Sequence, residues 1–135
     1  MKLIYIFTTH TLYPEMIEKL FDIIMLEEAF DFLKSIDKKH SEKILYNIRK
    51  AQTSRDPELF KKLTNEIWEF RTLYRGSHCR LLAFWDKSNT QQTLVISTHG
   101  FVKKQSRVPD TEIGRALQIR DKYFQEKEKS NNETK

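Results

Sequence analysis

The chain has 135 residues, a formal net charge of +5, 39% hydrophobic residues and a single cysteine. That length suits one domain with a modest core, and three glycines and three prolines exclude collagen-like or linker-like material. Lone Cys79 cannot form an internal disulfide, so a stapled secreted module is excluded and a cytoplasmic setting is expected.

Lys2 followed by Leu3–Phe7 is too short an apolar run for a leader, and no stretch reaches the roughly 20 apolar residues of a membrane span. The run Phe21–Leu26 reads as a short buried strand. From Glu27 the period becomes helical, with Ala29, Phe32, Leu33 and Ile36 on one stripe. Asp37 can cap a second helix whose apolar face is Ile44, Leu45, Ile48 and Ala51, and the two helices should form a hairpin. After the Thr53–Pro57 loop, Ile67–Tyr74, Cys79–Trp85 and Thr93–Phe101 are rich in β-branched and aromatic residues. Their short connections, Arg75–His78 and Lys87–Thr90, predict an antiparallel meander. Pro109 suits the first turn of a last helix with Ile113, Ala116, Leu117, Arg120 and Phe124 on one stripe, capped by Ser106 or by solvent. The main domain is thus placed at 21–124, and the polar tail 125–135 is expected to fray.

The positive charge is concentrated in residues 61–107. Lys61, Lys62, Arg71, Arg75, Arg80, Lys87, Lys103, Lys104 and Arg107 face only Glu66, Glu69 and Asp86, a net of +6. Such a segment is either a phosphate-binding surface or a solvated basic face. Strand alternation puts Glu69 and Arg71 on one face with Ile67 and Leu73, and Arg80 on a face with Leu82 and Phe84. Glu69 can therefore pair with Arg71 or Arg80, or the two guanidinium groups can be presented together to a phosphate. Trp68, Trp85, Phe70 and Phe84 read as core, and Cys79 as a buried small residue. His10, His40, His78 and His99 lack companions at ligand spacing, so no metal site and no cofactor are expected.

The pieces Phe60-Lys61-Lys62-Leu63, Ile67-Trp68-Glu69-Phe70-Arg71, Cys79-Arg80-Leu81-Leu82, His99-Gly100-Phe101-Val102-Lys103-Lys104 and Pro109 with Glu112-Ile113 and Ala116 occur in this order. Together they resemble the phage-derived Gp49-like group of HigB-type toxins, in the RelE/ParE superfamily of type II toxin–antitoxin systems. The resemblance runs from about Phe21 to Tyr123, and residues 1–20, which precede the usual first strand of that group, are on this reading an N-terminal extension, with Met16 as an alternative start. It implies an α+β RelE-like fold: an N-terminal strand and helical hairpin on a twisted, mainly antiparallel sheet, with a C-terminal helix. It also implies a ribosome-dependent, metal-independent endoribonuclease acting on mRNA in the ribosomal A site, neutralised by an antitoxin. That antitoxin is expected to be a helix-turn-helix protein encoded next door. On this reading Arg80 clamps the phosphate, supported by Arg71, Lys103 and Lys104, while Lys61, Lys62, Arg75 and Arg107 contact RNA. His99 and Lys103 compete as proton donor, and Glu69 is a base or orients an arginine. Phe101 stands where many superfamily members use a tyrosine or histidine. A ParE-like inhibitor of a protein target such as gyrase, or a toxin that binds only its antitoxin, are the alternatives, since fold does not fix function.

Overall fold

The computed structural model describes residues 3–7, 19–88 and 94–133. His10, Met16, Asn89 and Thr90 lie outside the described residues. Nine elements follow in order: β1 (Leu3–Phe7), β2 (Asp22–Leu26), α1 (Glu27–Ser35), α2 (Lys38–Thr53), β3 (Phe60–Lys62), β4 (Trp68–Tyr74), β5 (Ser77–Asp86), β6 (Leu94–Lys103) and α3 (Asp110–Glu133). The strands form one six-stranded sheet in the order β1-β2-β6-β5-β4-β3. Only β2 and β6 run parallel, so the expected α+β class and meander are observed. Leu3–Phe7, within the segment read as an extension, is an edge strand hydrogen-bonded to β2. Strand β3 carries no strand signature of its own, being three residues long with two lysines; pairing with β4 creates it.

Both sheet faces are covered. One packs Ile23, Met25, Phe70, Leu81 and Val95 against Ala29 and Leu33 of α1 and Ile44, Ile48 and Ala51 of α2. The other packs Ile67, Leu82, Phe84 and Ile96 against Ala116 of α3, with Ile113, Leu117 and Phe124 alongside. The helices were legible because their apolar stripes match these faces. Their caps differ from expectation. Asp37 occupies the N-cap of α2 but makes no side-chain cap bond, only a backbone bond from Ser41 N–H to its carbonyl at 3.0 Å. The Pro109 carbonyl accepts from Glu112 N–H at 3.0 Å and from Ile113 N–H at 3.3 Å at the start of α3.

Helix α3 continues through Glu133 instead of fraying near Gln125. Its far half is tied to the end of β5 by buried Asp86, which accepts from Tyr123 Oη at 2.6 Å and Lys127 Nζ at 2.5 Å. Ser88 adds its N–H at 3.0 Å and Oγ at 2.5 Å. Burial pushes the Asp86 carboxyl up, but the donors from Lys127, Ser88 and Tyr123 outweigh it and hold the pKa at about 2. Between β4 and β5, Arg75 (φ 49°) and Gly76 (φ 80°) form a two-residue turn with both central residues in the left-handed region. Among the described residues no helix is long and apolar enough to cross a membrane.

Candidate functional site

Strand register brings the predicted site residues together. On the α3 face, Arg71 of β4 lies directly opposite Arg80 of β5, and Arg80 opposite Phe101 of β6. The neighbouring row toward the core is Lys61, Glu69, Leu82 and His99. The row toward the open end is Leu73, His78 and Lys103. Lys103 is thus one diagonal step from Arg80, about 7–8 Å by strand geometry.

Two arginines directly opposite each other repel, so the pair needs a shared counter-charge. Glu69 supplies it: its Oε1 stands 2.6 Å from Arg80 Nε and 3.9 Å from Arg71 Nε. Arg80 also donates from Nη1 to the Cys79 carbonyl at 3.1 Å. The Arg80 Nε contact is a close ion pair whose N–H is not aligned as a hydrogen bond. Burial lowers the Arg80 pKa, Glu69 raises it and Arg71 lowers it again. The guanidinium stays charged, because arginine does not deprotonate in proteins.

Exposure separates the two arginines. The Arg80 side chain is 3% exposed, while that of Arg71 is 28% exposed. The residue expected to clamp phosphate most directly is therefore enclosed with Glu69, and Arg71 presents the outer guanidinium. His99 is likewise enclosed, at 1%. Its Nδ1 is 3.0 Å from Thr98 Oγ1, and its Nε2 has no hydrogen-bond partner, with Glu112 Oε1 at 3.8 Å. Burial, reinforced by nearby Arg115 and opposed by Glu28, pushes its pKa down to about 4. At neutral pH the imidazole is uncharged and shielded, which does not suit a proton donor to an outside ligand.

The remaining predicted contacts are dispersed. Lys103 is half-buried and Lys104 exposed just beyond the end of β6. Lys61 is exposed on the edge strand opposite Glu69, whereas Lys62 sits opposite Trp68 and so belongs to the other face. Arg75 lies at the β4–β5 turn over the Tyr74 ring, 5.2 Å from its centroid. Arg107 is exposed and paired with Asp110 at 3.3 Å.

Sequence reasoning missed Glu112, Arg115 and Glu28, which define the surroundings of His99. No spacing signal could have found them, since Arg115 donates to Glu28 across 87 residues. Cys79 is buried as expected, with Sγ 3.1 Å from His40 Nε2, and burial pushes its thiol pKa up. Phe70 and Phe84 are core, but Trp68 and Trp85 are only half-buried. Among the described residues no three of His, Cys, Asp and Glu gather where they could hold a metal ion.

No curated protein and no solved structure matches the chain. The family described as phage-derived protein Gp49-like matches residues 31–121, a span that includes the second half of α1, all of α2, strands β3 to β6 and the first half of α3. With that span covering most of the chain and the α+β architecture in place, the protein belongs to the phage-derived Gp49-like family, a family of RelE- and HigB-like toxins.

Proposed function

We propose that this chain is the toxin of a type II toxin–antitoxin system that cleaves mRNA at the ribosomal A site and is neutralised by a neighbouring helix-turn-helix antitoxin. The observation that carries the reading is the register of Arg71 against Arg80, one step from Lys103, at the open end of the sheet. In the reaction the 2′-hydroxyl of one nucleotide gives up its proton to solvent as its oxygen attacks the adjacent phosphorus. The P–O5′ bond breaks, and a 2′,3′-cyclic phosphate and a free 5′-hydroxyl result. Negative charge builds on the phosphate oxygens, where the Arg71 fork can grip two of them. Enclosed Arg80 acts behind it, holding Glu69 and adding positive field through a low-dielectric medium. Lys103 and Lys104 extend the cationic surface, and Lys103 is better exposed than His99 to protonate the departing oxygen.

The burial of Arg80 and His99 favours a second reading, in which the chain binds RNA or its antitoxin without cutting. Induced expression followed by mapping of transcript 5′ ends separates the two. Cleavage predicts new ends in translated messages, and Arg71→Ala should lower it about a hundredfold or more. Intact messages in growth-arrested cells would support the non-cutting reading, and blocked DNA replication with intact messages would point to a ParE-like target.

A further inference from the structure

At the opposite end of the sheet from Arg71 and Lys103 lies a cleft of about 620 Å³, between the β3–β4 loop, the end of β5 and α3. Its wall is aromatic, formed by Trp68, Trp85 and Phe124, and its rim carries Lys62, Lys87 and Arg120. The two indole rings meet edge to face, with centroids 5.7 Å apart at 83°, and both are half-buried, so ring surface remains open. Among the described residues of the lining Glu66 is the one carboxylate, and it is already engaged by Arg120 Nη2 at 3.2 Å. Arg120 lies 5.1 Å from the Phe124 ring centroid, and its Nε is buried with no hydrogen-bond partner among the described residues.

An aromatic wall under a cationic rim is the chemistry that holds single-stranded nucleic acid: a base stacks while cations take the phosphates. The volume falls in the range of small-ligand sites. We propose that this cleft seats one base of a single-stranded RNA, with Lys62, Lys87 and Arg120 on its flanking phosphates, as a second grip remote from the Arg71 row. The proposal rests on the reading that the chain acts on RNA, but not on cleavage.

Trp68 and Trp85 are the two tryptophans of the chain, so intrinsic fluorescence responds to this cleft; because both indoles also line the cavity beside Phe21 and Phe60, variants at the cationic rim locate the response. The full chain is titrated with a short 2′-O-methylated oligouridylate, whose blocked 2′-oxygens prevent cleavage. Saturable quenching is expected in the wild type. The surface double variant Lys62→Gln/Lys87→Gln should bind roughly fivefold or more weakly, and each lost phosphate contact should lower the log–log salt slope by about 0.7. Absence of saturable quenching, or quenching unchanged in the double variant and in Arg120→Gln, overturns the proposal. Normal quenching with intact transcripts on induction would sink the cleavage reading and leave the cleft standing; the reverse would sink the cleft alone.

Discussion

Glu69 Oε1 and Arg80 Nε stand 2.6 Å apart on adjacent strands, each side chain all but sealed from solvent. This buried ion pair lies directly beside the partly exposed guanidinium of Arg71. Removing one partner of such a pair leaves an uncompensated buried charge. Glu69→Ala and Arg80→Ala should therefore each lose about 3–5 kcal/mol of stability in urea unfolding. Replacing both with leucine should recover most of the loss. Single variants as stable as the wild type would show that the pair opens to water. Loss of toxicity in Arg80→Ala alone reports on folding as much as on chemistry, which makes Arg71→Ala the cleaner functional variant.

His99 makes stability depend on pH. Its folded pKa of about 4 lies below its ordinary value of 6.5, so between those values the unfolded chain binds the proton more readily. Stability should be constant with respect to His99 above pH 6.5, fall as the pH drops from 6.5 to about 4, and level off below that. The full drop is roughly 3 kcal/mol at 1.36 kcal/mol per pKa unit. Asp86 acts in a lower window: its folded pKa of about 2 against 3.8 gives stability that is present above 3.8 and lost as the pH falls through 2. Urea midpoints measured from pH 7 to pH 4 should fall in the wild type and stay flatter in His99→Gln. Equal slopes in both would remove His99 as the cause.

Gly100 is a packing glycine. A Cβ there would press into the Phe32 ring of α1 and meet Leu81 Cδ2 at 2.6 Å. Leu81 is fully buried and Phe32 is half-buried against the same core, and overpacking of this kind costs about 1–3 kcal/mol. Gly100→Ala should lower the thermal midpoint accordingly, and Gly100→Val more. Gly76→Ala is destabilised for a different reason: its site is open, but its φ of 80° disfavours any side chain.

Arg75 carries a positive φ of 49° at the first central position of the β4–β5 turn, ahead of Gly76. Asn-Gly is the preferred pair for such turns. Arg75→Asn should raise stability by a few tenths to about 1 kcal/mol while removing one cation from the surface. A lower thermal midpoint would mean that the Arg75 contact over Tyr74 outweighs the backbone gain.

The sequence by itself determined the strands of the meander, the two-helix hairpin and the common face of Glu69 and Arg71, because alternation and helical period are local properties of the chain; that Arg80 of the next strand joins that face was decided by the β4–β5 register. It also determined that Glu69 could pair with either arginine. Which arginine is enclosed was decided by tertiary structure, since α3, far along the chain, packs over part of that sheet face and leaves its end open. The same covering shields His99 and brings Glu112 to it. Strand β3 exists only through its pairing with β4, and the polar end of α3 is held by Asp86, Tyr123 and Lys127, groups separated by up to 41 residues. The aromatic and cationic cleft is assembled the same way, from β3, β4, β5 and α3, so Trp68 and Trp85 read as core in sequence yet line a surface in the fold. Local pattern fixes which face a side chain takes; how far that face is covered depends on contacts between residues remote in the chain.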